Sequence, residues 1–245
     1  MKLHFAKAHK VWGIAICVII SLAWLVATAQ QKKPTLPAEE KRVAPIKDLK
    51  LLKEYRDNKG NIVREVQYVQ GNNRVTETII MAPQPKYMRV PINPDTMNKD
   101  SVMLVVDKAN YNIKVYYKRR IIRIYKAVFG PHPLENKVCE GDRCTPEGVF
   151  KIASKNPASR YRKFMLLSYP NDSSIARFNR MKARGLLPAG ARMGGDVGIH
   201  GIWPNGDDMI EMGVGWTDGC VAIKNADIDD LYSMVNVGTR VVIKK

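Results

Sequence analysis

Between Val11 and Ala29 the chain runs for 19 residues (VWGIAICVIISLAWLVATA) without a charge, just after a basic flank of Lys2, Lys7 and Lys10. That run removes itself from any globular core. As a helix it matches the hydrocarbon thickness of a bilayer, and it exceeds the roughly 7–15 apolar residues of a cleaved signal peptide. Ala27-Thr28-Ala29 has the small-x-small form of a cleavage site. Residues 1–29 therefore read as a signal anchor or a signal peptide, and both send the rest of the chain out of the cytoplasm. Ile16 before Cys17 is too bulky for a lipoprotein signal. The expectation is the cell envelope: an inner-membrane protein with one span through residues 11–29 and a periplasmic domain, or a periplasmic protein after cleavage.

Residues 30–47 (QQKKPTLPAEEKRVAPIK) are polar and carry three prolines. Such a segment has too little apolar surface to fold and reads as a linker. Residues 48–98 read as a small β extension. Val63–Val69 alternates in polarity, Asn58–Asn61 and Gly71-Asn72-Asn73 are turns, and Val75–Ile80 is strand-like. Pro83, Pro85, Pro91 and Pro94 then make an extended connector. From residue 99 to 245 the β pattern is denser, with strands expected at 102–106, 112–117, 121–129, 148–152, 164–168 and 240–243. Two helices are expected. One spans 173–184, capped by Asp172 or Ser173 and stopped by Gly185. The other is capped by Asn225 and carries Ile228, Leu231, Tyr232 and Val235 on one face, spaced i, i+3, i+4, i+7. The fold class is mainly β with two short helices.

The net charge is +17; residues 1–29 hold three lysines and no acid, so the remainder still carries +14. In a cytosolic protein this excess would point to nucleic acid. For an exported chain no nucleic acid is expected, and an anionic envelope polymer or membrane surface is the better partner. The basic residues are scattered, so a solvated basic surface explains them as well.

Four cysteines and four histidines narrow the chemistry. Cys17 lies in the apolar run. Cys139 and Cys144 flank a short turn and could pair in an oxidising compartment; the sequence leaves this open. Two cysteines are too few for a structural zinc, and no metal is expected. Cys220 remains as an odd thiol in an exported domain. His200, in Val197–Gly201 (VGIHG), lies just upstream. A thiol is a useful nucleophile as thiolate, and a nearby imidazole is the usual means of making one. On these two residues alone, a buried inert cysteine with a structural histidine is the better explanation.

Their surroundings favour chemistry. Thr217-Asp218-Gly219-Cys220-Val221 resembles the signature of the L,D-transpeptidase catalytic domain (YkuD type), [S/T]-x-G-C-[I/V], and Ile199-His200-Gly201 resembles its upstream His-Gly element. Val106-Asp107-Lys108, Gly141-Asp142, Thr145–Gly148 and Leu167–Asn171 also look like this family, so the resemblance covers roughly 100–245. It implies a β-sandwich-like catalytic fold, a Cys220–His200 pair, no cofactor, and peptidoglycan stem peptides as partners. Cys220 would attack the carbonyl before a terminal D-Ala and form a thioester, which an amine or water then resolves. His200 would carry the proton. Gly219 would allow a tight turn that aims backbone N–H groups at an oxyanion, and Gly201 a close chain approach. Thr217 would bind substrate or shape the turn. Two positions depart from the family pattern: Asp218 where many members have His, and Ala222 where many have Arg. Asp218 could orient His200 or bind the acceptor amine. These departures keep a related amidohydrolase or carboxypeptidase open beside transfer. A non-catalytic wall-binding protein is the rival of another class. Oligomeric state is not readable.

Overall fold

The computed structural model describes residues 46–81 and 88–245. The expected membrane segment, most of the linker and the Pro83–Pro85 part of the connector lie outside the described residues. Among the described residues no helix is long and apolar enough to cross a membrane.

The extension is a three-stranded antiparallel meander of β1 (Ile46–Arg56), β2 (Ile62–Gln70) and β3 (Asn73–Met81), in that order. Its first turn is closed by Asp57, whose Oδ1 accepts from the N–H groups of Lys59 and Asn61 at 2.9 and 2.8 Å. Val63, Val66, Tyr68, Ile79 and Met81 are buried. Of these, Val66, Tyr68, Ile79 and Met81 join the common hydrophobic core, with Ile79 and Met81 set against Gly213.

The larger sheet has nine strands: β4 (Met88–Arg89), β5 (Val102–Asp107), β6 (Asn112–Tyr117), β7 (Arg120–Lys126), β8 (Gly148–Ser159), β9 (Arg162–Leu167), β10 (Gly198–His200), β11 (Val221–Ala222) and β12 (Arg240–Lys244). Their order is β11-β10-β9-β8-β12-β5-β6-β7-β4. Only β12–β5 and β10–β11 are parallel. The long strand β8 is shared by two groups of strands, β12-β5-β6-β7-β4 on one side and β9-β10-β11 on the other. Just past β7, Val128 pairs with Ala222 of the far strand through two 2.9 Å backbone hydrogen bonds. Register shifts within the β8–β9 pair, at Ile152/Ser154 and Asn156/Ser159, are the kind of irregularity that bends a strand. Alternation fills the inside: Val102, Leu104 and Val106 of β5 point inward with Phe150 and Ile152 of β8 and Val241 and Ile243 of β12.

Three helices are present rather than two, with one 3-10 turn at Lys99–Ser101. Helix α1 (Asp172–Ala183) is capped by Asn171, one residue before the expected caps: its side chain accepts from Ser174 N–H at 3.0 Å. Helix α2 (Asp207–Met212) was not expected. It is six residues long and starts at Gly206, which has no capping side chain. Helix α3 (Asn225–Met234) buries Ile228, Leu231 and Met234. Its N-cap is Lys224, not Asn225, and the side-chain cap comes from elsewhere: Asp207 Oδ1 accepts the Asn225 N–H at 3.0 Å. Asp230 then ties α3 to β7 through Arg123 (2.9 Å) and Tyr125 (2.8 Å).

Candidate active site

Strand β10 delivers His200 and strand β11 follows Cys220. In their parallel register His200 lies beside Ala222. Cys220 is two residues before Ala222, so its side chain shares that face. The register places Cys220 alongside Gly198, and Gly198 N–H donates to Cys220 Sγ at 3.1 Å. With a rise of ~3.3 Å per residue and strands ~4.8 Å apart, the two Cα atoms are about 8 Å from each other. The two residues singled out from the sequence thus lie on neighbouring chain segments, with no hydrogen bond from His200 Nε2 to the sulfur among the described residues.

The turn before Cys220 is built from the bottom up by its short residues. Gly219 has φ +131, and a Cβ there would sit 2.6 Å from the Cys144 carbonyl oxygen. Only glycine fits both conditions. Thr217 is fully buried; its hydroxyl donates to the Cys220 carbonyl at 2.8 Å and accepts from Gly219 N–H at 3.3 Å. Both bonds lie within the turn, so Thr217 shapes it. Gly201 allows a close approach: a Cβ would lie 2.5 Å from Asn225 Oδ1 and 2.7 Å from the Tyr161 carbonyl. Asn225 Oδ1 also accepts from Ile202 N–H at 3.0 Å, fastening the exit of β10 to α3.

His200 is held in an aromatic setting that the sequence did not reveal. Its ring stacks on Tyr161 (centroids 5.0 Å, 26°) and Phe164 (5.9 Å, 12°) and meets the Trp216 ring at 62° (5.4 Å). Its Nδ1 is 2.7 Å from the Gly201 carbonyl. A carbonyl can only accept, so Nδ1 carries the proton and Nε2 keeps its lone pair. Nε2 is buried with no hydrogen-bond partner among the described residues. Burial lowers the His200 pKa to about 4, against a smaller raising effect of the Gly201 bond. At neutral pH the ring is an uncharged base, not the resting imidazolium that an ion pair with Cys220 requires.

This shift links to stability. The folded pKa of about 4 lies below the unfolded value of 6.5, so the unfolded chain binds more protons between them. The contribution is full above pH 6.5 and is lost as pH falls through that window to about 4. The loss reaches up to about 3 kcal/mol. Urea unfolding at pH 5 and pH 7 should show the drop, and His200→Asn should flatten it; equal slopes in both proteins would refute this.

Asp218 was expected either to orient His200 or to bind the acceptor amine, and one of its partners is a cation. The structure pairs its Oδ1 with Arg143 Nε at 3.2 Å, and Arg143 also donates to the Trp216 carbonyl at 3.3 Å. The segment carrying Arg143 is organised by Asp142, whose carboxylate accepts from the N–H groups of Val138, Cys139 and Cys144 and from Lys137 Nζ. Cys139 and Cys144 are free thiols here, and Cys144 Sγ donates to the Asp142 carbonyl at 3.2 Å. Among the described residues no cluster of His, Cys, Asp and Glu is arranged to hold a metal.

Cys220 and His200 both have 0% exposure. Backbone groups cover part of the sulfur: its contacts include the Gly198 N–H and, at 3.6 Å, the Asp196 carbonyl. The chain leading into this cover is clasped by Glu140, which donates its N–H to the Arg192 carbonyl at 2.7 Å and takes the Arg192 guanidinium at 3.1 Å.

A family model described as the L,D-transpeptidase catalytic domain, YkuD, matches residues 101–243. No curated protein matches the chain. Solved structures with similar folds include an L,D-transpeptidase from Xylanimonas cellulosilytica (17% identity, TM-score 0.36, 66% of this chain and 64% of that one). A Bdellovibrio bacteriovorus protein gives 18% identity and TM-score 0.42, over 64% of this chain and 51% of that one. A Mycobacterium smegmatis L,D-transpeptidase gives 12% and 0.39, over 80% and 82%. The chain thus spans less than two thirds of the first two.

Proposed function

Since the chain belongs to the L,D-transpeptidase catalytic domain family, we propose that it is a cysteine acyl transferase acting on peptidoglycan stem peptides in the cell envelope. Cys220 is the nucleophile and His200 its base. The observation that supports this reading is the placement of Cys220 against Gly198, two residues before His200, with the His200 lone pair at Nε2 without a partner among the described residues.

The chemistry follows from that tautomer. As Cys220 Sγ attacks the carbonyl carbon before the terminal D-Ala, its proton passes to His200 Nε2. The imidazolium formed keeps its Nδ1–H on the Gly201 carbonyl, which holds the ring in place and stabilises the new charge. Collapse of the tetrahedral intermediate breaks the C–N bond, and Nε2 returns the proton to the departing amine. A thioester remains. A neighbouring stem's amine then attacks, loses its proton to Nε2, and releases Cys220. Water in place of that amine gives hydrolysis. Starting from a neutral base lets both half-reactions use one lone pair, and burial keeps competing water away from the thioester.

The direct test is intact mass after carbapenem treatment, with Cys220→Ala as control. A β-lactam of this kind mimics the acyl donor. One adduct, lost in the variant, is expected; no adduct, or one on another residue, would sink the assignment. Products from a tetrapeptide stem fragment then separate the outcomes: dimers mean transfer, shortened monomers mean hydrolysis.

A further inference from the structure

Cys139 and Cys144 take no part in the proposed reaction, yet the fold brings their backbones to one point. They bound a tight turn in which Gly141 and Arg143 take φ +84 and +54 and reverse the chain. Asp142 organises it. Its Oδ2 accepts the Cys139 N–H at 3.0 Å and its Oδ1 the Cys144 N–H at 3.0 Å. One carboxylate thus bridges both amides and draws the two Cα atoms toward the ~4.4–6.8 Å that a disulfide spans. Cys139 is half-buried and Cys144 is 3% exposed. Burial, with the Asp142 charge beside them, raises the pKa of both thiols, that of Cys144 to about 11. Both are therefore protonated at neutral pH and are poor nucleophiles for substrate.

The turn touches the chain on both sides of the Cys220 sulfur. Arg143 reaches Asp218 and the Trp216 carbonyl, and a Cβ on Gly219 would meet the Cys144 carbonyl oxygen at 2.6 Å. On the other side Glu140 holds the Arg192 carbonyl and guanidinium, and a Cβ on Gly194 would lie 3.2 Å from the Glu140 Cβ. That segment runs on to Asp196, whose carbonyl faces the sulfur.

The geometry points to a disulfide site: Cys139 and Cys144 cross-link when a disulfide oxidant is supplied, and the link staples the turn that flanks Cys220. The more exposed Cys139 loses its proton and attacks one sulfur of the oxidant, releasing the other as a thiol. The Cys144 thiolate then attacks Cys139 Sγ and releases the second oxidant thiol. Two protein S–H bonds and the oxidant's S–S bond are lost; one protein S–S bond and two oxidant S–H bonds form. The link stabilises by restricting the unfolded chain, and it does not depend on Cys220 being the nucleophile.

The experiment treats the full chain with oxidised glutathione, blocks the remaining thiols with iodoacetamide and digests with trypsin. Cleavage after Lys137, Arg143 and Lys151 separates residues 138–143 from 144–151, so a Cys139–Cys144 bond leaves these two peptides joined. The joined pair is expected, and reduction should split it. Unjoined peptides, glutathione retained on Cys139, or either peptide tied to residues 193–224, which carry Cys220, would overturn the site. The oxidised chain should melt about 5 °C above the reduced one, and Cys139→Ser, treated alike, should show no such gap. A joined pair without the gap would overturn the staple.

Discussion

Replacing Cys220 with alanine is expected to reduce turnover of a tetrapeptide stem by about 10⁴-fold or more, because the covalent route disappears outright. Little else should change. The sulfur's contacts include the Gly198 N–H at 3.1 Å and the Asp196 carbonyl at 3.6 Å. Removing Sγ leaves one buried N–H short of an acceptor and a small void, worth about 1–3 kcal/mol. Circular dichroism should thus report a folded protein with a modestly lower melting temperature. Retained turnover in the folded variant would mean that chemistry occurs elsewhere. An unfolded variant would be uninformative by itself, so Cys220→Ser is the companion: it keeps an acceptor for Gly198 N–H and should lose turnover almost as completely.

Gly130→Ala should have the largest effect on stability. Gly130 follows the strand pair that closes the sheet, and a Cβ there would fall 1.8 Å from the Arg143 carbonyl oxygen and 2.9 Å from that of Thr217. Both obstacles are backbone, so no side-chain rotation relieves them. The chain must open between the Arg143 segment and the turn that carries Cys220. Overpacking of this kind costs about 3 kcal/mol or more. Urea midpoints should fall accordingly, and carbapenem acylation should fall with them because the displaced turn is the one bearing the thiol. A variant within about 0.5 kcal/mol of the parent would show that this contact is softer than the geometry implies.

How much of this was legible in the sequence depended on range. Alternation along Val102–Val106 and Asn112–Tyr117 is local, and both became strands in the expected places. The Gly-Cys turn and the His-Gly element were visible because their chemistry is carried by adjacent residues. What surrounds them was not. Tyr161, Phe164 and Trp216 look like ordinary core aromatics, and only the β9–β10 pairing, with Phe164 opposite His200, brings them to the imidazole. Arg143 is 75 residues from Asp218, and no local pattern links them. Helix α2 was missed because six residues hold less than two turns of period and its cap is a bare glycine. The cap of α3 was misplaced for a related reason: Asn225 is a good capping residue type, but its side chain is spent on Ile202 while Asp207 supplies the cap from another element.

The cover over Cys220 also bears on how the protein ages. Peroxide, small disulfides and stray electrophiles damage a cysteine only by touching its sulfur. On the proposed reaction, a thiol sheltered behind the Gly198 amide and the Asp196 carbonyl between turnovers outlasts one left open to an oxidising milieu, and its exposure to inactivation scales with time spent working rather than with time elapsed.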